Sequence, residues 1–138
     1  MAKEKKEKKV EKKVKASKSA KRSVPACIAS IQATFNNTVI TLADQEGNTL
    51  AQGSPSVVGF KGSKRSTAFA ATKAAIQVAE AAIKKYGLKE VKVFIKGPGA
   101  GRNAAVKGLD SAGLRVTMLV DKTPIPHNGC RPRKKPAK

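Results

Sequence analysis

The sequence predicts an α/β domain that carries a basic arm at each end. Residues 26–52 alternate and are rich in β-branched side chains, which is typical of an antiparallel meander, and residues 91–120 show a strand–helix–strand pattern that implies a parallel crossover. Charge is concentrated at the ends of the chain. The expected divisions are a basic disordered extension at 1–23, an α/β domain at 24–121 and an extended basic arm at 122–138.

The first half of the predicted domain consists of three short strands. Residues 26–35 alternate apolar and polar side chains, and residues 38–43 are β-branched and mostly apolar, so both runs are predicted strands. Asn36 and Asn37 lie between them, and asparagine tolerates the left-handed backbone of a tight hairpin turn. A second turn then precedes a shorter strand at 49–52.

A long helix and a parallel unit make up the second half. Ser66 or Thr67 can cap a helix that runs to about Tyr86, with Gly87 as its stop. The remaining elements are predicted to be a strand at 91–95, a helix at 103–111 and a strand at 114–120 whose alternate residues, from Leu114 to Val120, share an apolar face.

The overall charge points to a polyanionic partner. The 138 residues carry a formal net charge of +20, which a nucleic acid would neutralise. The chain has no apolar run near the ~20 residues of a membrane span, and its N-terminus lacks the apolar middle of a secretory signal. We therefore expect no membrane partner. The two cysteines, Cys27 and Cys130, are expected to stay reduced.

The first candidate binding segment is GFKGSKRST at 59–67. Lys61, Lys64 and Arg65 stand just before a predicted helix N-terminus, where unpaired N–H groups and partial positive charge favour phosphate. The segment is interpreted as an RNA contact. The alternative is a solvated surface loop.

The second candidate is GPGAGR at 97–102, between a strand and a helix. A dinucleotide fingerprint would stand here, but the spacing is GxGxG and the following helix is short. Arg102 suits a phosphate fork. Contact with an RNA backbone is the favoured interpretation, and a plain turn or a nucleotide site are the alternatives.

The third candidate is the C-terminal segment TPIPHNGCRPRKKPAK at 123–138. Its prolines keep the chain extended, which lowers the entropy lost when it enters a groove. The bases predicted to pair with phosphates are Arg131, Arg133, Lys134 and Lys135. A solvated tail is the alternative, and a zinc site built on His127 and Cys130 lacks a second ligand pair.

Enzymatic chemistry finds little support in the sequence. His127 is the single histidine, and the acids of the domain are scattered, so no catalytic set, metal site, cofactor or small-molecule substrate is predicted. Lysine outnumbers arginine 23 to 6, which favours phosphate contacts over base readout. The aromatic residues, including Phe35 and Phe69, are mostly assigned to the core. Recognition of folded RNA by shape is therefore expected, without base stacking.

Four segments resemble the bacterial-type small-subunit ribosomal protein family numbered eleven. They are ATFNNTVITLADQEGNTL at 33–50, GFKGSKRSTAFAA at 59–71, VKVFIKGPGAGRNAAVKGL at 91–109 and AGLRVTMLVDKTPIPHNGCRPRK at 112–134. The resemblance implies a three-layer α/β/α fold with a mixed five-stranded sheet and ribonuclease-H-like topology. Residues 1–22 depart from the family in being longer and richer in lysine.

The same resemblance implies a structural, non-enzymatic role in the small subunit of a cytoplasmic ribosome. It places the protein on the platform near the messenger exit, bound to ribosomal RNA, beside other platform proteins and close to messenger RNA. A general cationic nucleic-acid-binding protein and a nucleotide-binding enzyme are the alternatives. By matching position, the RNA contacts are Asn36, Asn37, Lys61, Gly62, Ser63, Lys64, Arg65, Gly99, Gly101, Arg102, His127, Asn128, Arg131 and Arg133.

Overall fold

A computed structural model describes residues 23–136, and the structural statements below concern that part of the chain. The predicted extension therefore lies, except for Ser23, outside the described residues. The strands are β1 (Ala26–Ala33), β2 (Thr38–Ala43), β3 (Thr49–Gly53), β4 (Glu90–Lys96) and β5 (Arg115–Asp121). The helices are α1 (Pro55–Val58), a 3-10 helix (Gly62–Ser66), α2 (Ala68–Tyr86) and α3 (Gly101–Ser111).

The five strands form one mixed sheet in the order β3-β2-β1-β4-β5. Strand β2 is antiparallel to both of its neighbours, whereas β1, β4 and β5 pair in parallel. Ile31 at the centre of β1 lies opposite Ile40 on one side and Ile95 on the other. The predicted α/β class, the meander and the parallel unit are confirmed, and the strand order is that of the ribonuclease-H-like topology.

Helices α2 and α3 lie side by side on one face of the sheet. The chain crosses from β3 to β4 through α2 and from β4 to β5 through α3, and both connections move in the same direction across the sheet. Because such parallel crossovers are right-handed, two of them that move in one direction place their helices on the same face. Burial alternates along β1, where Ile31 is buried and Ser30 and Gln32 are exposed. Among residues 23–136 no helix covers the opposite face. The described residues therefore form the sheet and one of the two helical layers of the expected three-layer fold.

The helical layer packs closely because its buried residues are small. The inner face of α2 consists of alanines and one valine, at Ala70, Ala71, Ala74, Ala75, Val78, Ala79 and Ala82. These join the inward side chains of the strands in a single core. Of the two predicted caps, Thr67 is the one that caps α2: its side chain accepts a hydrogen bond from the Ala70 N–H at 3.3 Å. Gly87 ends the helix with a φ of 66°.

Helix α3 and strand β5 differ from the prediction in ways that affect the site. Helix α3 begins at Gly101 rather than Asn103, so Asn103 lies inside its first turn. In β5 the register shifts: Val116 pairs with Val91 but Met118 pairs with Lys92, so Thr117 is passed over. The shift turns Met118 to the open face, where it is 48% exposed, and the predicted single apolar face of this strand is wrong beyond Val116.

Candidate RNA-binding surface

The segments singled out by the sequence meet at one end of the sheet. The carboxyl ends of β1, β3, β4 and β5 point the same way, because β2 is the single antiparallel strand. The β1–β2 turn, the 3-10 helix, the loop before α3 and the start of the arm follow those ends. In open α/β sheets, ligands bind at this edge. We call these four segments the strand-end surface.

The β1–β2 turn is held by Thr34 and Asn37. The Thr34 N–H donates to the Asn37 carbonyl oxygen at 2.8 Å, and the Asn37 N–H donates to Thr34 Oγ1 at 3.0 Å. The Asn37 side-chain oxygen accepts from the Thr38 N–H at 2.9 Å. Asn37 is half-buried, and its hydrogen bonds shape the turn. Phe35 and Asn36 are exposed at the tip of the turn.

The basic loop before α2 forms a compact 3-10 turn. Ser66 Oγ donates to the Ser63 carbonyl oxygen at 2.7 Å, and Thr67 Oγ1 donates to that of Lys64 at 2.8 Å. Arg65 Nε donates to the Gly62 carbonyl oxygen at 3.3 Å, so this guanidinium is partly committed within the loop. Lys61, Gly62, Ser63 and Lys64 are exposed beside the α2 N-terminus, where the helix dipole adds positive potential.

The glycine-rich loop lies directly against the β1–β2 turn. The Gly99 N–H donates to the Ala33 carbonyl oxygen at 3.1 Å. A Cβ added at Gly97 would overlap that oxygen, and one added at Gly101 would overlap Thr38 Oγ1. Gly99 and Gly101 are buried, so the glycines join loop and hairpin into one body. Contact of these two residues with RNA stays a prediction.

Arg102 is engaged within the protein rather than free at the surface. Its Nη1 donates to the Gly97 carbonyl oxygen at 2.9 Å, and its Nη2 donates to Asp121 Oδ2 at 2.7 Å. Asp121 Oδ1 accepts from the Thr123 hydroxyl at 2.6 Å and from its N–H at 3.0 Å. Thr123 and then Arg102 hold the pKa of Asp121 far below its usual range, so this carboxyl stays ionised.

The C-terminal arm is exposed along its described length. From Lys122 to Pro136 every residue is exposed, and none of residues 124–136 forms a hydrogen bond with the rest of the described chain. Asn128 has a φ of 58°, in the left-handed region that asparagine tolerates. The predicted contacts on this exposed stretch are His127, Asn128, Arg131, Arg133, Lys134 and Lys135.

Two aromatic residues that the sequence assigns to the core are exposed. Phe35 is 77% exposed and Phe69 is 62% exposed. The predicted strand ran to Phe35, but β1 ends at Ala33, so Phe35 lies outside the strand. The following Asn36 and Asn37, which favour a turn, were the signal that the strand ends earlier. Phe69 packs edge-to-face against Phe60, with the ring centroids 5.9 Å apart. The strand-end surface therefore presents aromatic rings as well as positive charge.

Groups that could support other chemistry are not assembled in residues 23–136. Burial raises the pKa of the Cys27 thiol to about 11, so it is protonated and inert at neutral pH, and both cysteines are free. Within the same residues no three His, Cys, Asp or Glu side chains meet in a metal-binding group. The helices described there are too short or too polar to cross a membrane.

Comparison with known proteins agrees with this arrangement. The family model for ribosomal protein S11 matches residues 27–137, which include all of the sheet except Ala26, both long helices and nearly all of the arm. A small ribosomal subunit protein uS11 from Hamiltonella defensa subsp. Acyrthosiphon pisum (strain 5AT) is 50% identical over 115 residues, covering 83% of this chain and 88% of that protein. The chain therefore belongs to the ribosomal protein S11 family.

Proposed function

We propose that this protein is a structural constituent of the small ribosomal subunit and binds its ribosomal RNA through the strand-end surface. The S11 family is structural and non-enzymatic, which agrees with the absence of a predicted catalytic set. The finer placement is the platform near the messenger exit, beside other platform proteins and the path of messenger RNA. The three loops and the arm would together contact folded RNA, chiefly through its phosphates.

The distribution of charge carries this proposal. Lys61, Lys64, Arg65 and the bases of the arm lie on or follow the strand-end surface. The acids of residues 23–121 lie elsewhere, with one exception at Asp121. The others are Asp44 and Glu46 in the β2–β3 turn, Glu80 late in α2, Glu90 at the start of β4 and Asp110 at the end of α3. Within residues 23–136 the strand-end surface and the arm therefore carry an excess of positive charge, which suits a polyanion.

The rival functions fit the geometry less well. A nucleotide-binding enzyme would need an open glycine loop, but here the loop is closed against the β1–β2 turn. A protein that compacts duplex DNA would use the same positive charge, so the affinities for duplex DNA and for ribosomal particles must be compared to distinguish the two functions. Equal affinity for duplex DNA and for small-subunit particles reconstituted without this protein would favour DNA compaction.

The basic loop is expected to be a binding element. The triple change of Lys61, Lys64 and Arg65 to Ala should weaken association with those particles and reduce the slope of log affinity against log salt by about one unit per lost phosphate contact. Thermal stability should stay close to that of the unchanged protein, since changes at exposed positions such as Lys61 and Lys64 usually cost under ~0.5 kcal/mol and Arg65 loses only one long hydrogen bond within the loop. Filter binding across a salt series, with thermal unfolding alongside, measures both quantities.

A charge-matched variant supplies the control. Changing Lys84, Lys85 and Lys89 to Ala removes the same net charge from exposed positions at the opposite end of the sheet. This control should retain most of the affinity and slope. If both triple variants lose affinity equally, only net charge matters, and the assignment of the surface is wrong.

Phe35 is expected to contribute to binding without contributing to the fold. Because its ring is 77% exposed, changing Phe35 to Ala should leave the unfolding temperature nearly unchanged. Association with the reconstituted particles should weaken about 5- to 150-fold, which corresponds to the roughly 1–3 kcal/mol of one aromatic–base stack. Phe35→Tyr keeps the ring and should bind almost normally. Binding by the Ala variant at the original affinity would contradict a role for the ring.

A further inference from the structure

Asp121 is an unexpected residue on the strand-end surface. Among residues 23–136 it is the one acid at this end of the sheet, and it directly precedes the basic arm. A negative charge here opposes the attraction of RNA, because like charges near the phosphates raise the energy of the complex. Its presence therefore calls for a structural reason.

The contacts of Asp121 close a ring of hydrogen bonds. The Gly97 N–H donates to Thr123 Oγ1 at 3.1 Å, and the Thr123 hydroxyl donates to Asp121 Oδ1 at 2.6 Å. Arg102 then donates to Asp121 Oδ2 at 2.7 Å and to the Gly97 carbonyl oxygen at 2.9 Å. The ring joins the glycine-rich loop to the first residues of the arm.

Lys122, which lies between the ring residues Asp121 and Thr123, is also held in place. The Lys122 N–H donates to the Ile95 carbonyl oxygen at 2.8 Å, which continues the β4–β5 pairing by one residue. The Lys122 ammonium lies 3.9 Å from the centre of the Phe94 ring, on the face of the sheet without helical cover. Beyond Thr123 no further hydrogen bond holds the described part of the arm. The direction of the arm is thus set at residues 121–123.

The ring is placed to orient the arm rather than to stabilise the domain. The side chains of Arg102 and Asp121 are 32% and 52% exposed, and ion pairs that solvent reaches contribute little to stability. Two of the five N–H donors of Arg102 are used within the protein, which reduces its capacity to form a phosphate fork.

We propose that Asp121 is a positioning residue for RNA binding, whose carboxylate links Arg102 of the glycine-rich loop to Thr123 and so directs the arm along the strand-end surface. This proposal rests on the proposed function, since the arm must contact RNA for its direction to matter. Loss of the carboxylate leaves the basic side chains of the arm in place but lets the arm leave the sheet in many directions, which raises the entropy lost on binding.

The sign of the charge effect makes this testable. Asp121→Asn removes one negative charge, so simple electrostatics predicts equal or tighter binding. Positioning predicts the opposite: affinity for small-subunit particles reconstituted without the protein should fall about three- to tenfold, and the salt slope by about one unit. Asp110→Asn removes an exposed acid distant from the surface and should bind as well as or slightly better than the unchanged protein.

Thr123 tests the ring without any change in charge. Thr123→Val removes the hydroxyl that both accepts from Gly97 and donates to Asp121, and it should weaken binding in the same way. Thr123→Ser keeps the hydroxyl and should restore most of the affinity. Both variants should unfold at temperatures near that of the unchanged protein.

A full-length variant that carries Arg131→Gln, Arg133→Gln, Lys134→Gln and Lys135→Gln serves as a background that separates the two proposals. If the arm binds RNA, this background binds weakly, and adding Asp121→Asn should then have almost no further effect. If the background binds like the unchanged protein, the proposed role of the arm fails. If the background is weak but Asp121→Asn alone binds as tightly as Asp110→Asn, the positioning role of Asp121 is overturned and the arm's role stands.

Discussion

Removal of residues 124–138 is expected to leave the domain folded and to block stable incorporation into small subunits. Residues 124–136 are exposed and form no hydrogen bond with the rest of the described chain, so little holds them in the free protein. On RNA, each of the five removed bases can displace counterions, and the salt slope should fall by about one unit for each that contacts a phosphate. Sedimentation of subunits with the truncated protein measures the loss.

The end point of the truncation matters, because Thr123 belongs to the ring of hydrogen bonds with Asp121 and Gly97. Ending the chain after Thr123 keeps that ring, whereas ending it after Lys122 does not. Both truncated proteins should unfold cooperatively near the original temperature. If the protein that ends after Thr123 is incorporated into subunits at normal occupancy, the rest of the arm is not required for binding and the three loops are sufficient.

Replacing Gly97 with Val is expected to destabilise the whole domain. Gly97 has a φ of +95°, and a Cβ there would overlap the Ala33 carbonyl oxygen at the end of β1. Backbone strain at such a position costs about 1–3 kcal/mol, and displacement of the loop from β1 adds to it. With stabilities of about 5–15 kcal/mol for domains of this kind, the unfolding temperature should fall by roughly 10 °C or more.

Gly113 provides a matched control for that change. Its φ is +105°, but an added Cβ would meet no atom within 4 Å. Gly113→Val therefore introduces similar strain without the overlap, and it should be clearly milder in calorimetry. Equal losses at the two positions would mean that strain alone matters and that the close approach of the glycine-rich loop to β1 does not.

The sequence was a good guide wherever a local pattern determined the structure. The alternation of β1 and the Thr67 and Gly87 caps all predict the observed elements. Lys73, Gln77, Glu80 and Lys84 of α2, spaced by four, three and four residues, are all exposed, as the period of an amphipathic helix requires. These features depend on near neighbours in the chain, and local periodicity reports such neighbours directly.

The features that escaped prediction depend on contacts between distant segments. The inversion of Met118 follows from a register shift against β4, 26 residues away. The pairing of Arg102 with Asp121, and the packing of Gly99 on Ala33, likewise join elements that sequence spacing does not relate. The sequence therefore did not reveal that Arg102 has a carboxylate partner within the protein, and its contact with RNA stays a prediction. The placement of both long helices on one face follows from strand order, which composition does not reveal.

The central claim is that the strand-end surface faces ribosomal RNA, and lysine labelling tests it most directly. The protein would be acetylated briefly, free and within assembled small subunits, and the reactivity of each lysine compared by mass spectrometry. Lys61 and Lys64 beside this surface, and Lys134 in the arm that follows it, should lose most of their reactivity in the subunit. Lys84, Lys85 and Lys89 at the opposite end should keep most of theirs. The reverse pattern, or equal protection at both ends, would contradict the account.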